Sequence, residues 1–310
     1  MTTLDGGRRQ EPGSPTARRT AVAWLVIFVL AAPGGAVRLA AASGPECRAS
    51  GRLVRIPHLR EASGLAASRR TPDVLWTHND SGEPALIALD REGRVTGRVA
   101  VAGAEVEDWE ALAAGTCRAG SCLYIGDIGD NDAGRQWVTV YRLPEPDVRG
   151  RGTAAAEALS AVYPDGPQDA ETLLIAPDGR LFIVTKGATG PVALYAFPRE
   201  LRSGERMRLE RVGRARPGQG RHDAALITDG AVSPDGRWVV LRTTGALIFH
   251  EAAAFFAGQW REAGAYDLGS VGEPQGEGVA FDREGVLYLV GEGGGLSRQG
   301  TFATIECALP

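Results

Sequence analysis

Five residues with an oxygen in the side chain, Ser63, Glu110, Glu171, Asp229 and Glu277, recur along the chain at spacings of 47, 61, 58 and 48. Each opens a short apolar run. Brought to one axis, four like-charged carboxylates must either take up protons or bind a cation. A ring of oxygens with no histidine or cysteine selects a hard cation, and Ca2+ accepts such a set. These five are the expected metal ligands. The alternative is five separate turn residues, each solvated on its own.

A repeated element would have to position them. The clearest copy spans residues 107–131, EDWEALAAGTCRAGSCLYIGDIGDN, which reads as two short strands joined by a turn. Antiparallel pairing gathers Asp108, Glu110, Asp127, Asp130 and Asn131 at one end of this hairpin. Copies begin SGLAAS at Ser63, EALAAG at Glu110, ETLLIAPDG at Glu171, DGAVSPDG at Asp229 and EGVAFDREG at Glu277. A second apolar strand follows each, and Pro-Asp-Gly or Arg-Glu-Gly turns join the pair in three of them. Further strand-like runs complete about four strands per repeat of roughly 50 residues, the pattern of a propeller blade. The expected fold is an all-β, five-bladed β-propeller, with a sixth blade in the less regular 195–225 region as the alternative.

The last copy leaves room for three strands, so residues 52–56 are expected to supply its fourth. That strand lies beside Cys47, and the strand over 301–305 lies beside Cys307. Four cysteines permit three pairings. Cys117 and Cys122 flank a short turn and are expected to pair locally, which leaves Cys47 and Cys307 to join the two ends.

Ends of the second strands would form a rim on the same face as the ring. It holds His78, Asn79 and Asp80, then Asp127, Asp130 and Asn131, then Lys186, Arg242 and Glu292. Lys186 is the only lysine in the chain. Lys186 and Arg242 would clamp a small anionic ligand or substrate, with His78, Asn79 and Glu292 beside it. Asp127 or Asp80 would serve as general base, and the metal would polarise a phosphoryl oxygen or activate water. In the bland reading these loops bond to one another and solvate the rim.

Among the 310 residues, 44% are hydrophobic and the net charge is −4, with no basic run to suggest a nucleic-acid surface. Arg8, Arg9, Arg18 and Arg19 precede an apolar stretch over 21–32 that is too short for a membrane span. Residues 1–42 therefore read as a signal peptide, with an uncleaved anchor left open. Residues 43–310 form one domain, expected to be an extracytoplasmic monomer with no membrane contact after cleavage. Other motifs do not hold. Asp130-Asn131-Asp132 begins like an EF-hand loop but has Tyr141 at its twelfth position, and His250-Glu251 lacks a second histidine. No phosphate-binding loop or nucleophile elbow occurs, and His58 and His222 read as structural or surface residues. Asp108 and Glu110 could pair as in a glycosidase.

The ring resembles that of the calcium-activated apyrases, five-bladed propellers with Ser, Glu, Glu, Ser and Glu around a central calcium. Ser63, Glu110, Glu171 and Glu277 match it, and Asp229 stands where the family has its second serine. Where the apyrases carry Asp-Asp-Arg-Thr-Gly, this chain has His78-Asn79-Asp80-Ser81-Gly82. The HNDSG, DWE and DIGDN segments are also similar to a group of exported bacterial propellers. Together these imply an exported calcium-binding propeller that acts as a calcium-dependent hydrolase of phosphate or related esters. The alternative is a non-catalytic ligand- or partner-binding propeller with structural calcium.

Overall fold

The computed structural model describes residues 44–148, 153–188, 190–215, 226–294 and 299–310. The expected leader and His222 lie outside them. The described chain forms five sheets, one per blade. Blade one is built from Ala62–Ala67, Leu75–Asn79, Ala85–Leu89 and Val95–Ala102. Blade two comprises Trp109–Cys117, Gly120–Asp127, Val138–Pro144 and Glu157–Val162. Blade three takes Ala170–Ile175, Leu181–Thr185, Ala193–Ala196 and Glu210–Arg214. Blade four takes Ile227–Val232, Trp238–Thr243, Ala246–Glu251 and Glu262–Asp267. The fold is a five-bladed β-propeller.

Blade five is closed as the cysteines imply. Gln275–Phe281, Leu287–Glu292 and Gln299–Ala308 are completed by the N-terminal strand Glu46–Pro57. Cys47 pairs directly with Cys307 across the two strands, and a disulfide joins them. A second disulfide links Cys117 to Cys122 at the tip of the blade-two hairpin. Paired cysteines of this kind fit an oxidising compartment. No helix among the described residues is long and apolar enough to cross a membrane.

The irregular region does not make a sixth blade among the described residues. Arg206–Arg208 adds to the edge of blade two in parallel, and Glu210–Arg214 is the outer strand of blade three. Thr153–Ala155 covers the edge of blade one in the same parallel manner. Each added strand satisfies backbone groups that an open edge would expose.

The innermost strands are nearly continuous apolar runs because they are covered on both faces. Glycine sets how near they come. A Cβ on Gly64 would stand 2.3 Å from the backbone nitrogen of Leu112, and one on Gly278 would stand 2.3 Å from the Ser63 carbonyl oxygen. Larger side chains then fill the wedges between blades, with Trp76, Trp109, Leu123 and Leu143 between blades one and two. Buried Glu145 ties the same two blades, accepting from Ser121 Oγ at 2.5 Å and Trp76 Nε1 at 3.1 Å.

Because the Cys47–Cys307 bridge closes the ring, non-reducing peptide mapping should recover these two residues in one linked fragment. Replacing both by serine should lower stability by about 2–5 kcal/mol in chemical denaturation. A fragment joining Cys47 to Cys117 or Cys122 would contradict the closure.

Candidate metal and ligand site

Every innermost strand breaks register with its neighbour at its start. The shift falls between Ala62 and Leu65, Trp109 and Ala111, Ala170 and Thr172, Ile227 and Asp229, and Gly276 and Val279. A bulge re-aims the side chain it carries. Ser63, Glu110, Glu171 and Glu277 occupy the bulges, as the repeat predicts. In blade four the bulged residue is Thr228, not Asp229. The same position stands eight residues before the turn glycine in three blades: Glu171 before Gly179, Thr228 before Gly236, Glu277 before Gly285. That spacing was the signal for Thr228, and matching acid to acid obscured it. The two hydroxyls also behave alike. Ser63 Oγ donates to the Glu110 carbonyl at 2.8 Å, and Thr228 Oγ1 to the Glu277 carbonyl at 3.1 Å. Asp229 lies one residue on. It is buried, its Oδ2 accepts the Val279 N–H at 2.7 Å, and its Oδ1 has no hydrogen-bond partner. Burial holds its carboxyl well above the usual range.

The ring acids are buried, and their charges meet. Glu110 is pushed up to about 11 by burial and by the neighbouring Glu171 and Asp108 carboxylates. Its Oε2 lies 2.9 Å from Ser63 Oγ. Burial lifts Glu171 to about 7, although Lys186 pulls against it. Glu277 also reaches about 7 through burial, despite the bond from Gln275 Nε2 at 2.8 Å. Lys186 touches Glu171 Oε1 and stands 3.9 Å from Asp169 Oδ2. Burial works against its charge, but these carboxylates raise its pKa nonetheless. Among the described residues, no three His, Cys, Asp or Glu side chains are drawn in to metal-binding distance. The donor chemistry nonetheless fits a hard cation: oxygens only, three of them on carboxylates that burial and mutual repulsion drive toward the neutral form.

The rim divides into residues that face the ring and residues committed elsewhere. Glu292 faces the ring through Glu277, and Asp80 lies with Glu61, Glu292 and Asp108. Asp80 is lifted to about 7 by burial and by Glu61 and Glu292, and its Oδ1 is buried without a partner. Glu292 is raised by burial and Glu61. Neither Glu61 nor Gln275 stood out in the sequence, because both lie just before a strand pattern rather than in it. Asn79 Oδ1 accepts the Glu61 N–H at 3.2 Å and shapes that loop.

Four expected rim residues are interior. His78 is fully buried, edge-on to Trp109, with Nδ1 3.1 Å from the Asn79 carbonyl and Nε2 3.3 Å from that of Ala111. Burial lowers its pKa to about 4, so it is a neutral core residue and not a ligand contact. Asp127 accepts the N–H groups of Asp108 at 3.1 Å and Glu107 at 3.3 Å and pairs with Arg135 at 2.8 Å. With its oxygens so engaged, it organises the loop and is not placed as a base. Asp130 does similar work, accepting from Gly134 at 2.8 Å and Arg135 at 2.9 Å. Arg242 is no anion clamp either. Its guanidinium is 0% exposed and ties blade four to blade five through the carbonyls of Gly278 and Val290, the latter at 2.8 Å, and Glu273 at 2.5 Å. It passes over Gly276, where a Cβ would stand 2.2 Å from Nη2.

Among the described residues, one space lies along the innermost strands and another touches the ring itself. A channel of about 740 Å3 runs along the innermost strands toward the far face, past Ser68, Thr116, Asp178 and Ser233. A cleft of about 440 Å3 opens over blades four and five, bounded by Lys186, Leu226, Thr228, Thr244, Gln275 and Glu277.

No protein-family model matches the sequence, and no curated protein matches it. Solved structures do share the fold. The PQQ-bound aldose sugar dehydrogenase of Streptomyces coelicolor is 13% identical with a TM-score of 0.50, over 85% of this chain and 98% of that one. A gluconolactonase of Xanthomonas campestris gives 12% and 0.46, over 86% and 96%. The calcium-binding protein regucalcin of Agrobacterium tumefaciens gives 14% and 0.43, over 83% and 95%. At these identities the likeness is one of fold alone.

Two outcomes follow from this geometry. Arg242→Met leaves the Glu273 carboxylate and two carbonyls without their donor, and should cost about 3–5 kcal/mol in urea denaturation. Adding Glu273→Gln should recover part of that loss; equal stability of Arg242→Met and wild type would refute the strut. The second concerns pH. Glu171 and Glu277 stand near 7 when folded, against 4.5 for the free side chain. Between those values the folded state holds protons that the unfolded state has released. The metal-free protein should therefore lose stability as pH rises through about 4.5 to 7, read as a falling Tm in chelator. A Tm that rises across this window would contradict the buried ring.

Proposed function

We propose that the protein is an exported calcium-dependent hydrolase whose substrate is an uncharged ester. The observation that carries this reading is the convergence of Glu110, Glu171 and Glu277 at the start of three innermost strands, with Ser63 and Thr228 completing the ring. A bound cation would relieve the charge that Lys186 leaves unbalanced, without protonating the acids. These five residues would hold Ca2+, with Asp229 supporting the ring from one position away. When bound, calcium supplies polarisation of a substrate oxygen.

In this reading Asp80 moves the proton. A carboxylate near 7 with an orphaned oxygen is matched to accepting a proton from water at neutral pH. Lys186 stays on Glu171 and Asp169 and balances the ring. Glu61, Asp80, Asp108 and Glu292 crowd the rim, and burial together with repulsion from these neighbours raises the pKa of Asp80. With Arg242 buried, little positive charge among the described residues faces outward to receive a phosphate. An uncharged ester therefore suits the rim better than the anionic substrate expected from the sequence. One observation favours the non-catalytic reading, in which calcium only pins the blades: His78, Asn79 and Asp127 direct their polar atoms at their own loops.

Calorimetry should find calcium binding to the wild type, weakened by Glu110→Gln and by Glu171→Gln. Calcium should also raise Tm, since a ligand of the folded state alone stabilises it. Asp80→Asn should retain both and lose turnover of an uncharged ester by about 10²–10⁴-fold. No calcium binding and no thermal shift would remove the site. Full turnover in Asp80→Asn would remove the base, and absence of any turnover in the wild type would leave the structural role.

A further inference from the structure

We propose that the cleft over blades four and five is the substrate-recognition pocket, and that it takes a neutral, polyhydroxylated ligand of about monosaccharide size. This assignment rests on the reading of the ring as the reactive centre, because Thr228 and Glu277 belong to both the ring and the cleft wall. A ligand seated there reaches the axis without crossing the acidic rim of blades one and two.

The size is right for a small molecule: about 440 Å3 lies within the range of ligand pockets, and the cleft is open to solvent on one side. The lining mixes polar and apolar groups. Thr244 offers a hydroxyl, Gln275 an amide, and Asp267 a carboxylate at the end of the outer strand of blade four. Asp267 Oδ1 already accepts the Gly269 N–H at 2.6 Å, which fixes the side chain in place. Leu226, 44% exposed, supplies an apolar wall in the same cleft. A hydroxyl, an amide and carboxylates beside an apolar side chain suit a ring that carries several hydroxyls on its edge and C–H groups on its face.

Charge decides the class. Among the described residues, the cleft is lined by one cation, Lys186, and two acids, Glu277 and Asp267. The ammonium already contacts Glu171, so it offers an anionic ligand little that is uncompensated. The acids accept hydroxyl protons readily but repel a phosphate or carboxylate. Gly245 gives the cleft its width. It lines the space, and a Cβ built there meets no atom within 4 Å.

That glycine also supplies the test. Gly245→Trp should fill the cleft without disturbing the fold, and Thr244→Val should remove one hydroxyl at constant volume. With calcium present, binding of methyl glucoside to wild type and both variants is measured by saturation-transfer NMR. Turnover of a sugar δ-lactone and of p-nitrophenyl phosphate is measured in parallel, and calcium affinity by calorimetry. The expected result is binding of methyl glucoside to wild type, lost at least tenfold in Gly245→Trp and weakened in Thr244→Val, at unchanged calcium affinity. The lactone should be turned over in preference to the phosphate, with the same loss in Gly245→Trp. Glucoside binding that both variants retain overturns the pocket, as does preference for the phosphate or absence of glucoside binding to wild type. Glucoside binding without turnover of either substrate upholds the pocket and removes the hydrolase reading. Turnover that Gly245→Trp leaves intact does the reverse.

Discussion

Closing five sheets into a ring brings their innermost strands to within backbone contact, and whatever those strands carry at their starts is brought together with them. At Gly64 and Gly278 the approach is so close that a single added carbon would collide with the next strand. The glutamates at the bulges cannot retreat, because the strands that carry them are packed on both sides by neighbouring blades. Desolvation and repulsion then act together, and Glu110 is forced far above its ordinary titration range. An apolar fold would have been easier to close. The geometry that packs the core is the geometry that brings these acids together.

Two positive side chains temper this charge in different ways. Lys186, at the end of a second strand, leans onto Glu171 and Asp169 and remains partly open to solvent. Arg242 is sealed in the interface of blades four and five and hydrogen-bonds to backbone carbonyls. The difference follows from their chemistry. A planar guanidinium can serve two carbonyls and a carboxylate at once, whereas an ammonium is a point charge that suits a cluster of acids. A residue that sequence alone offers as a ligand clamp is thus a structural strut.

Ring closure has a second consequence. The strand that completes blade five comes from the opposite end of the chain, so the interface depends on a contact of maximal sequence separation. Such a contact closes a long loop at high entropic cost, which is where a disulfide constrains the unfolded chain most. Elsewhere the edges of blades one and two are covered by short parallel strands taken from connecting segments.

The repeat of paired apolar strands, its five copies and the cysteines at either end determined the propeller and its closure from sequence alone. Those features are local or periodic, and period and turn chemistry are written directly in residue order. Four of the five ring positions were legible for the same reason. The fifth offered two signals that disagree: Asp229 matches its counterparts in charge, Thr228 matches them in its distance to the turn glycine, and strand pairing puts Thr228 in the bulge. The fates of His78, Asp127 and Arg242 were likewise decided by tertiary structure. A polar residue at a strand end reads the same whether it faces solvent, its own loop or the next blade. Burial and the direction of each side chain settle that, and both arise only when the five sheets are packed together.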